Sequence, residues 1–354
     1  MPAVRAAAAT STTSQRRIVL LAPGRSGSTL LQSVFLTACD DALTFFEPCR
    51  HSPLGDVRKQ ECARQVHRFL RCDLPSRNGR WEPKNIRPWL QHPYRAANGS
   101  STCPMPPFAS VGACSRACSA AKLVLVKEIR LVGQLATLVS ELRRAAPDRG
   151  AVVPTTIIHL VRDPRPMLAS QIKLHWWRNE YGRFTAGELE KVARKQCEGM
   201  IADGEAGAAL IRDGSGGAPG GGPAGSELSY VLVRFEELVA NTSQVAQQLY
   251  ARLGMPVPVS TLAWLKRTTR GTCVNAASHQ PAFENYEYGT CRNASARKRA
   301  KSRGGGRGGW KHTLTRRQKR IIQRQCGGAL RSFGYDLRVD RGGEFVHRIA
   351  ETRI

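Results

Sequence analysis

The stretch IVLLAPGRSGSTLL, residues 18–31, decides the fold. Ile18 to Ala22 is an unbroken apolar run, which suits a strand buried on both faces of a parallel sheet. It runs into Pro23, Gly24, Arg25, Ser26, Gly27, Ser28 and Thr29, after which Leu30, Leu31, Val34, Phe35 and Ala38 recur at helical spacing. A strand, a glycine-rich turn and a helix in that order make an anion cradle. The first N–H groups of the helix lack intrahelical acceptors, its dipole is positive at that end, and glycine lets a ligand approach the backbone. Gly24, Arg25, Ser26, Gly27, Ser28 and Thr29 are therefore the first candidate binding residues. The loop departs from a Walker A motif, which requires Lys where Ser28 stands, so Arg25 supplies the cation from inside the loop. Taken alone, the motif leaves an ordinary strand-to-helix turn as the alternative.

Outward from this stretch, strands and helices alternate. Leu43 to Phe46 reads as a second strand ending at Glu47, and Leu123 to Val126 as a third delivering Lys127, with a helix from about Leu131 to Arg144. Ile157 to Val161 is a fourth strand delivering Arg162 and Asp163, with Pro164 suited to open the next helix. Tyr230 to Arg234 is a fifth, followed by a helix ending near Gly254, and a last helix spans roughly Thr313 to Ser332. The pattern predicts an α/β fold: one open, mostly parallel central sheet with helices on both faces, binding ligands beyond the carboxyl ends of its strands. Residues 1–17 stay unassigned, with a transit-peptide-like composition but no apolar signal core. Residues 18–354 read as one domain. Residues 50–118 read as an irregular excursion over a cleft, 204–226 as a flexible Gly-rich insertion, and 296–309 as a basic Gly/Arg insertion.

The 354 residues carry 54 Lys and Arg against 27 Asp and Glu, a net charge of +27. Twelve of the basic residues fall between Arg292 and Arg320, where there is no acid. This balance calls for an anionic partner or a solvated segment. A hydrophobic content of 41% excludes wholesale disorder. No apolar run reaches the ~18 residues of a membrane span, so membrane association would need an upstream anchor. Eleven separated cysteines and Asn-x-Ser/Thr sequons at Asn98, Asn241 and Asn293 favour an oxidising secretory compartment. Cys114 and Cys118 have no second pair at zinc-ligand spacing, so disulfides of open connectivity are the better account, with at least one cysteine left over. Arg162 at a strand end and Ser170 two helical turns on could hold a phosphate between guanidinium and hydroxyl. A surface Arg–Asp pair and a solvated serine are the alternative.

Together, GRSGSTLL after a strand, FFEP about 20 residues later and LVRDPRPMLAS further on resemble the Golgi carbohydrate sulfotransferases. The branch they resemble sulfates the 6-hydroxyl of galactose, N-acetylgalactosamine or N-acetylglucosamine. VKEIRL from Val126, YVLVRFEEL from Tyr230, YGTCRNAS from Tyr288, the segment Trp310 to Leu314 and the pair Gly334 and Tyr335 extend the match. It covers roughly residues 18–336 outside the two insertions. The resemblance implies a single P-loop-like sulfotransferase domain in the Golgi lumen, a glycan acceptor that is possibly acidic, and 3′-phosphoadenosine-5′-phosphosulfate (PAPS) as donor. It assigns loop 24–29 to the 5′-phosphosulfate, Arg162 and Ser170 to the 3′-phosphate, and Arg292 to the donor-binding set. No metal is implied, because a sulfuryl group carries less charge than a phosphoryl group and fixed cations can serve.

Within that frame Glu47 is the candidate general base, with His51 as a rival that reads better as a surface histidine. Lys127 and Arg25 are the candidates for stabilising charge on the bridging oxygen, although Lys127 could instead form a salt bridge with Glu128 or another acid. Arg130 reads as structural, and Trp176 and Trp177 read as core packing in preference to a platform for a sugar ring. Cys49 after FEP and Lys311 after Trp310 depart from the family pattern, which leaves the acceptor pocket open. Two rival functions stand beside this one: protein-tyrosine sulfotransfer, and nucleic-acid binding through the basic segment.

Overall fold

A computed structural model describes residues 15–36, 42–51, 57–74, 111–144, 154–174, 176, 185–213, 228–269, 310, 313–335 and 337. Arg292, Trp177, the side chain of His51, Asn98, Asn293 and the 296–309 segment lie outside the described residues. Five strands form one sheet: β1 Arg16–Leu21, β2 Ala42–Phe46, β3 Leu123–Glu128, β4 Thr155–Val161 and β5 Leu228–Arg234. Every pairing is parallel and the order is β2-β3-β1-β4-β5. The α/β expectation therefore holds, and each strand extends one or two residues beyond the apolar run that announced it.

The period of two along a strand divides the core. Val19 and Leu21 face one side with Phe45, Val124 and Val126, against α2 Val57–Leu70, α3 Val111–Ala120 and α4 Leu135–Arg144. Ile18 and Leu20 face the other, against α1 Ser28–Leu36. α5 Pro164–Lys173 and α6 Ala186–Arg212 follow β4, and Leu210 of α6 packs on the first face. α7 Phe235–Ala240, α8 Thr242–Arg252 and α9 Val259–Thr269 follow β5 and cover Ile18 and Leu20 on the second. A third cluster joins α5 and α6 to α10 Arg316–Gln325 and α11 Gly327–Ser332.

Five expectations change. Part of residues 50–118 is helical. Cys62, Ala63, Val66, Phe69 and Leu70 are buried and recur at helical spacing in α2, a stripe hidden among Arg, Lys and Gln. α2 and α3 are tied to their surroundings by the Cys49–Cys62 and Cys72–Cys118 disulfides. The Gly-rich insertion begins later than Gly204, because α6 runs to Arg212. Gly207 inside it has a packing cause: a Cβ there would lie 2.1 Å from the Tyr230 ring. The last helix breaks at Cys326, and the helix after β5 breaks at Asn241, an exposed residue. The helix expected from Leu131 starts at Leu135, since Asp203 of α6 accepts from the backbone N–H of Gly133 and Leu135 at 2.7 and 2.8 Å and holds that corner as a turn. No helix among the described residues is long and apolar enough to cross a membrane.

Candidate active site

β1 connects toward β2 on one side of the sheet and β4 toward β5 on the other, so the connections diverge between the adjacent strands β1 and β4. In open α/β sheets this divergence opens a crevice at the carboxyl edge. Loop 22–27 after β1 and Arg162 after β4 both stand there. Arg25 and Gly27 have φ of 70° and 94°, which turns the chain sharply before α1. A Cβ on Gly27 would lie 2.2 Å from the Phe235 ring, and one on Gly24 2.1 Å from Trp176, so both glycines are required by close approach. Ser26 Oγ donates to the carbonyl of Pro23 at 2.6 Å and braces the turn from within.

The two anion sites expected from sequence form one assembly. Arg25 Nε donates to Ser170 Oγ at 3.1 Å, and Arg162 Nη1 donates to the Arg25 carbonyl at 2.9 Å. Gln171 Nε2 donates to the Gly24 carbonyl at 2.8 Å, and the Arg162 guanidinium lies 4.3 Å over the Phe235 ring. Asp163 does not take Arg162 as its ion-pair partner: its carboxylate caps α5 through the Arg165 N–H and pairs with the Arg165 guanidinium at 2.7 Å. Glu236 accepts from the Asp163 backbone N–H at 3.1 Å and from Tyr335 Oη at 3.0 Å. Burial raises the Glu236 carboxyl above its usual range, against the pull of the Asp163 N–H and of Arg162.

Glu47, Lys127 and Thr29 meet on the other side of the loop. The Glu47 N–H pairs with the Lys127 carbonyl at 2.8 Å, continuing the β2–β3 ladder one residue past β2, and φ of 49° at Glu47 ends the strand. Lys127 Nζ donates to Thr29 Oγ1 and to Glu47 Oε1, both at 3.2 Å, and lies 3.9 Å over the Phe46 ring. Arg130 Nη1 donates to Glu47 Oε2 at 2.8 Å. Burial would raise the Glu47 carboxyl, but Lys127 and Arg130 outweigh it and hold the group below the usual carboxylate range. Burial pushes Lys127 down to about 8, against the attraction of Glu47 and Glu128. Glu128 is buried and is no simple partner for Lys127. It accepts from the N–H of Cys49, Ile129 and Arg130, at 2.9, 2.9 and 3.0 Å.

Every described candidate is therefore at one edge of the sheet: Gly24 to Thr29, Glu47, Lys127, Arg162 and Ser170. Sequence reasoning reads Arg130 as structural, and its guanidinium contacts Glu47 directly. It missed Gln171 and Phe235, whose only signals were adjacency to Ser170 and a place at the end of β5. Trp176 is 43% exposed with its indole against Gly24, so it covers the loop and does not pack in the core. Cys49, Cys62 and Glu128 converge as metal ligands might, but the two sulfurs are bonded to one another. Cys118 pairs with Cys72, and Cys114 is a buried thiol.

A family model for the sulfotransferase domain matches residues 153–334. Carbohydrate sulfotransferase 1 of Rattus norvegicus is 25% identical over 361 residues, which covers 90% of this chain and 79% of that one. Carbohydrate sulfotransferase 5 of Mus musculus is 27% identical over 355 residues, covering 90% of this chain and 80% of its own. A crystal structure of a mouse sulfotransferase complexed with PAP is 14% identical with a TM-score of 0.44, covering 89% of this chain and 85% of that one. The span matched by the family model opens just before β4, closes at Gly334 and contains Arg162, Ser170 and Phe235. The chain belongs to the sulfotransferase domain family.

Proposed function

We propose that this protein transfers the sulfuryl group of PAPS to a sugar hydroxyl, the 6-hydroxyl, of a glycan or acidic polysaccharide in the Golgi lumen. The observation that carries the reading is the position of Lys127, whose one ammonium bridges Thr29 of the anion loop and Glu47 at 3.2 Å each. A group that contacts both the donor cradle and the candidate base suits a reaction centre between them. The relatives' carbohydrate specificity supports a sugar acceptor, and the three disulfides among the described residues support an oxidising compartment.

In this reading loop 24–29 takes the 5′-phosphosulfate, while Arg162 and Ser170 take the 3′-phosphate, with Arg292 as a further donor contact. Arg25, bonded to Ser170, couples the two subsites. The acceptor oxygen forms its bond to sulfur as the bond from sulfur to the 5′-phosphate oxygen breaks in line. The hydroxyl proton passes to Glu47, which its two cationic neighbours keep ionised at neutral pH. Lys127 and Arg25 offset the charge that develops on the departing oxygen.

The test is calorimetric binding of 3′-phosphoadenosine-5′-phosphate (PAP) to wild type, Arg25→Ala and Arg162→Ala. The expected result is tight binding by wild type and at least a tenfold loss in each variant, about 1.4 kcal/mol or more. A folded wild type that does not bind PAP overturns the reading. Radiolabelled sulfate transfer to glycans, with tyrosine peptides as the comparison, then tests the acceptor.

A further inference from the structure

The proposed function leaves α10 unused. Its sequence, RRQKRIIQRQ, has five basic residues and no acid, and no Asp or Glu occurs anywhere from Arg292 to Tyr335. Ile321 and Ile322 are buried, while Arg316, Arg317, Arg320 and Arg324 are exposed. Arg316, Arg320 and Arg324 follow one another at intervals of four, so they form a stripe with about 6 Å of rise per step.

This charge works against the helix that carries it. The N-terminus of a helix favours acids and disfavours cations, yet Arg316 and Arg317 occupy the first two positions of α10. The capping box is completed by neutral Gln318, where Glu is the usual alternative. At the far end Arg324 pairs with Glu190, the one acid that meets an α10 cation among the described residues.

The segment leading into this row packs near the carboxyl end of β4. Trp310 lies 5.4 Å from the Arg165 guanidinium, just after β4, and Leu314 packs in one cluster with Met167 and Leu168 of α5, the helix of Ser170. We infer that the exposed face of α10 is a docking surface for a linear anionic polysaccharide, which it holds by carboxylate or sulfate groups flanking the reacting sugar. This rests on the sulfotransferase reading above. Charge complementarity sets the class of ligand, and three features choose among polyanions. The buried apolar face of α10 has nothing to insert into a membrane. The exposed face has no aromatic residue on which nucleic-acid bases could stack. The disulfides suit the compartment in which polysaccharides, and not RNA, are displayed.

The experiment compares the full chain with its Arg316→Glu/Arg320→Glu variant, using hyaluronan as a carboxylated polysaccharide probe. Poly(U) and phosphatidylserine–phosphatidylcholine vesicles are the competing probes. The expected result is a loss of hyaluronan affinity of about tenfold or more at 0.1 M NaCl, with a weaker dependence of the remaining affinity on salt. Thermal stability should stay level or rise, because Glu suits the first turns of a helix, so the loss cannot be assigned to unfolding. PAP affinity should not change. Unchanged hyaluronan binding in the variant overturns the proposal. So does a wild type that binds poly(U) or the vesicles more tightly than hyaluronan at equal anion concentration. A wild type that binds hyaluronan through this row but not PAP supports the surface and defeats the sulfotransferase reading beneath it.

Discussion

Arg130 and Lys127 divide the Glu47 carboxylate between them, one oxygen each, at 2.8 and 3.2 Å. Their charges hold Glu47 ionised, so activity that needs the carboxylate should fall only as pH drops through its depressed value. Arg130→Gln removes one of those charges: the acidic limb of the pH–rate profile should move upward, kcat should fall about tenfold or more, and PAP affinity should hold. Arg130→Lys should bring the limb most of the way back, an outcome that a purely structural arginine would not produce. On the alkaline side Lys127 loses its proton as pH rises through about 8, and turnover should decline there. Lys127→Gln should cost roughly 10²–10³-fold in kcat, the scale of one lost oxyanion-stabilising donor, and should abolish that alkaline limb. Lys127 was legible because it ends an apolar run. Arg130 was not, because it lies beyond β3, on a bend that the Glu128 carboxylate pins through the N–H groups of Ile129 and Arg130. Linear spacing gives no sign of such a return.

At the scale of elements, the turn into α1 depends on Gly27, whose φ of 94° and 2.2 Å clearance to Phe235 exclude a side chain. Gly27→Ala should destabilise the protein by about 1–3 kcal/mol and weaken PAP binding, because Phe235 also lies under the Arg162 guanidinium. Gly187→Ala, in the first turn of α6 with nothing within 4 Å of a new Cβ, should instead stabilise by up to about 1 kcal/mol. Urea unfolding of both variants checks the pair, and two equal losses would refute the distinction. Composition does not separate these glycines. The strands were readable because burial on both faces leaves continuous apolar runs such as Ile18 to Leu21. α2 was not, because only one of its faces is buried and the rest of the helix is charged. Gly207 misled for the opposite reason: it is a contact surface for Tyr230 inside a 27-residue helix, and local composition carries no record of a partner in β5.

Across the whole molecule, strand order was the part that sequence could not supply. The alternation of elements indicated a parallel sheet, but not that β1 would lie between β3 and β4, which brings Lys127 and Arg162 to opposite sides of the loop that follows β1. The same long-range logic governs the cysteines. Cys197 and Cys326 are 129 residues apart, and their bond ties α6 to the junction of α10 and α11, the cluster that also buries Val161 and Met167 beside Arg162. Closing so long a loop restricts the unfolded chain, so Cys197→Ser/Cys326→Ser should lose about 2–5 kcal/mol. PAP affinity should fall along with it, because the wall behind Arg162 loosens. Cys114 supplies the contrast. It lies one helical turn from Cys118, close enough to threaten the Cys72–Cys118 bond, but burial pushes its thiol up to about 12 and starves it of the thiolate needed for exchange. Cys114→Ala should therefore leave the disulfide pattern and the PAP affinity as they are. Peptide mapping and calorimetry on the two variants decide the matter. Scrambled bonds in the Cys114→Ala protein would mean that this thiol guides pairing during folding, and full PAP affinity in the double serine variant would mean that α6, α5 and α10 hold the Arg162 wall by packing alone.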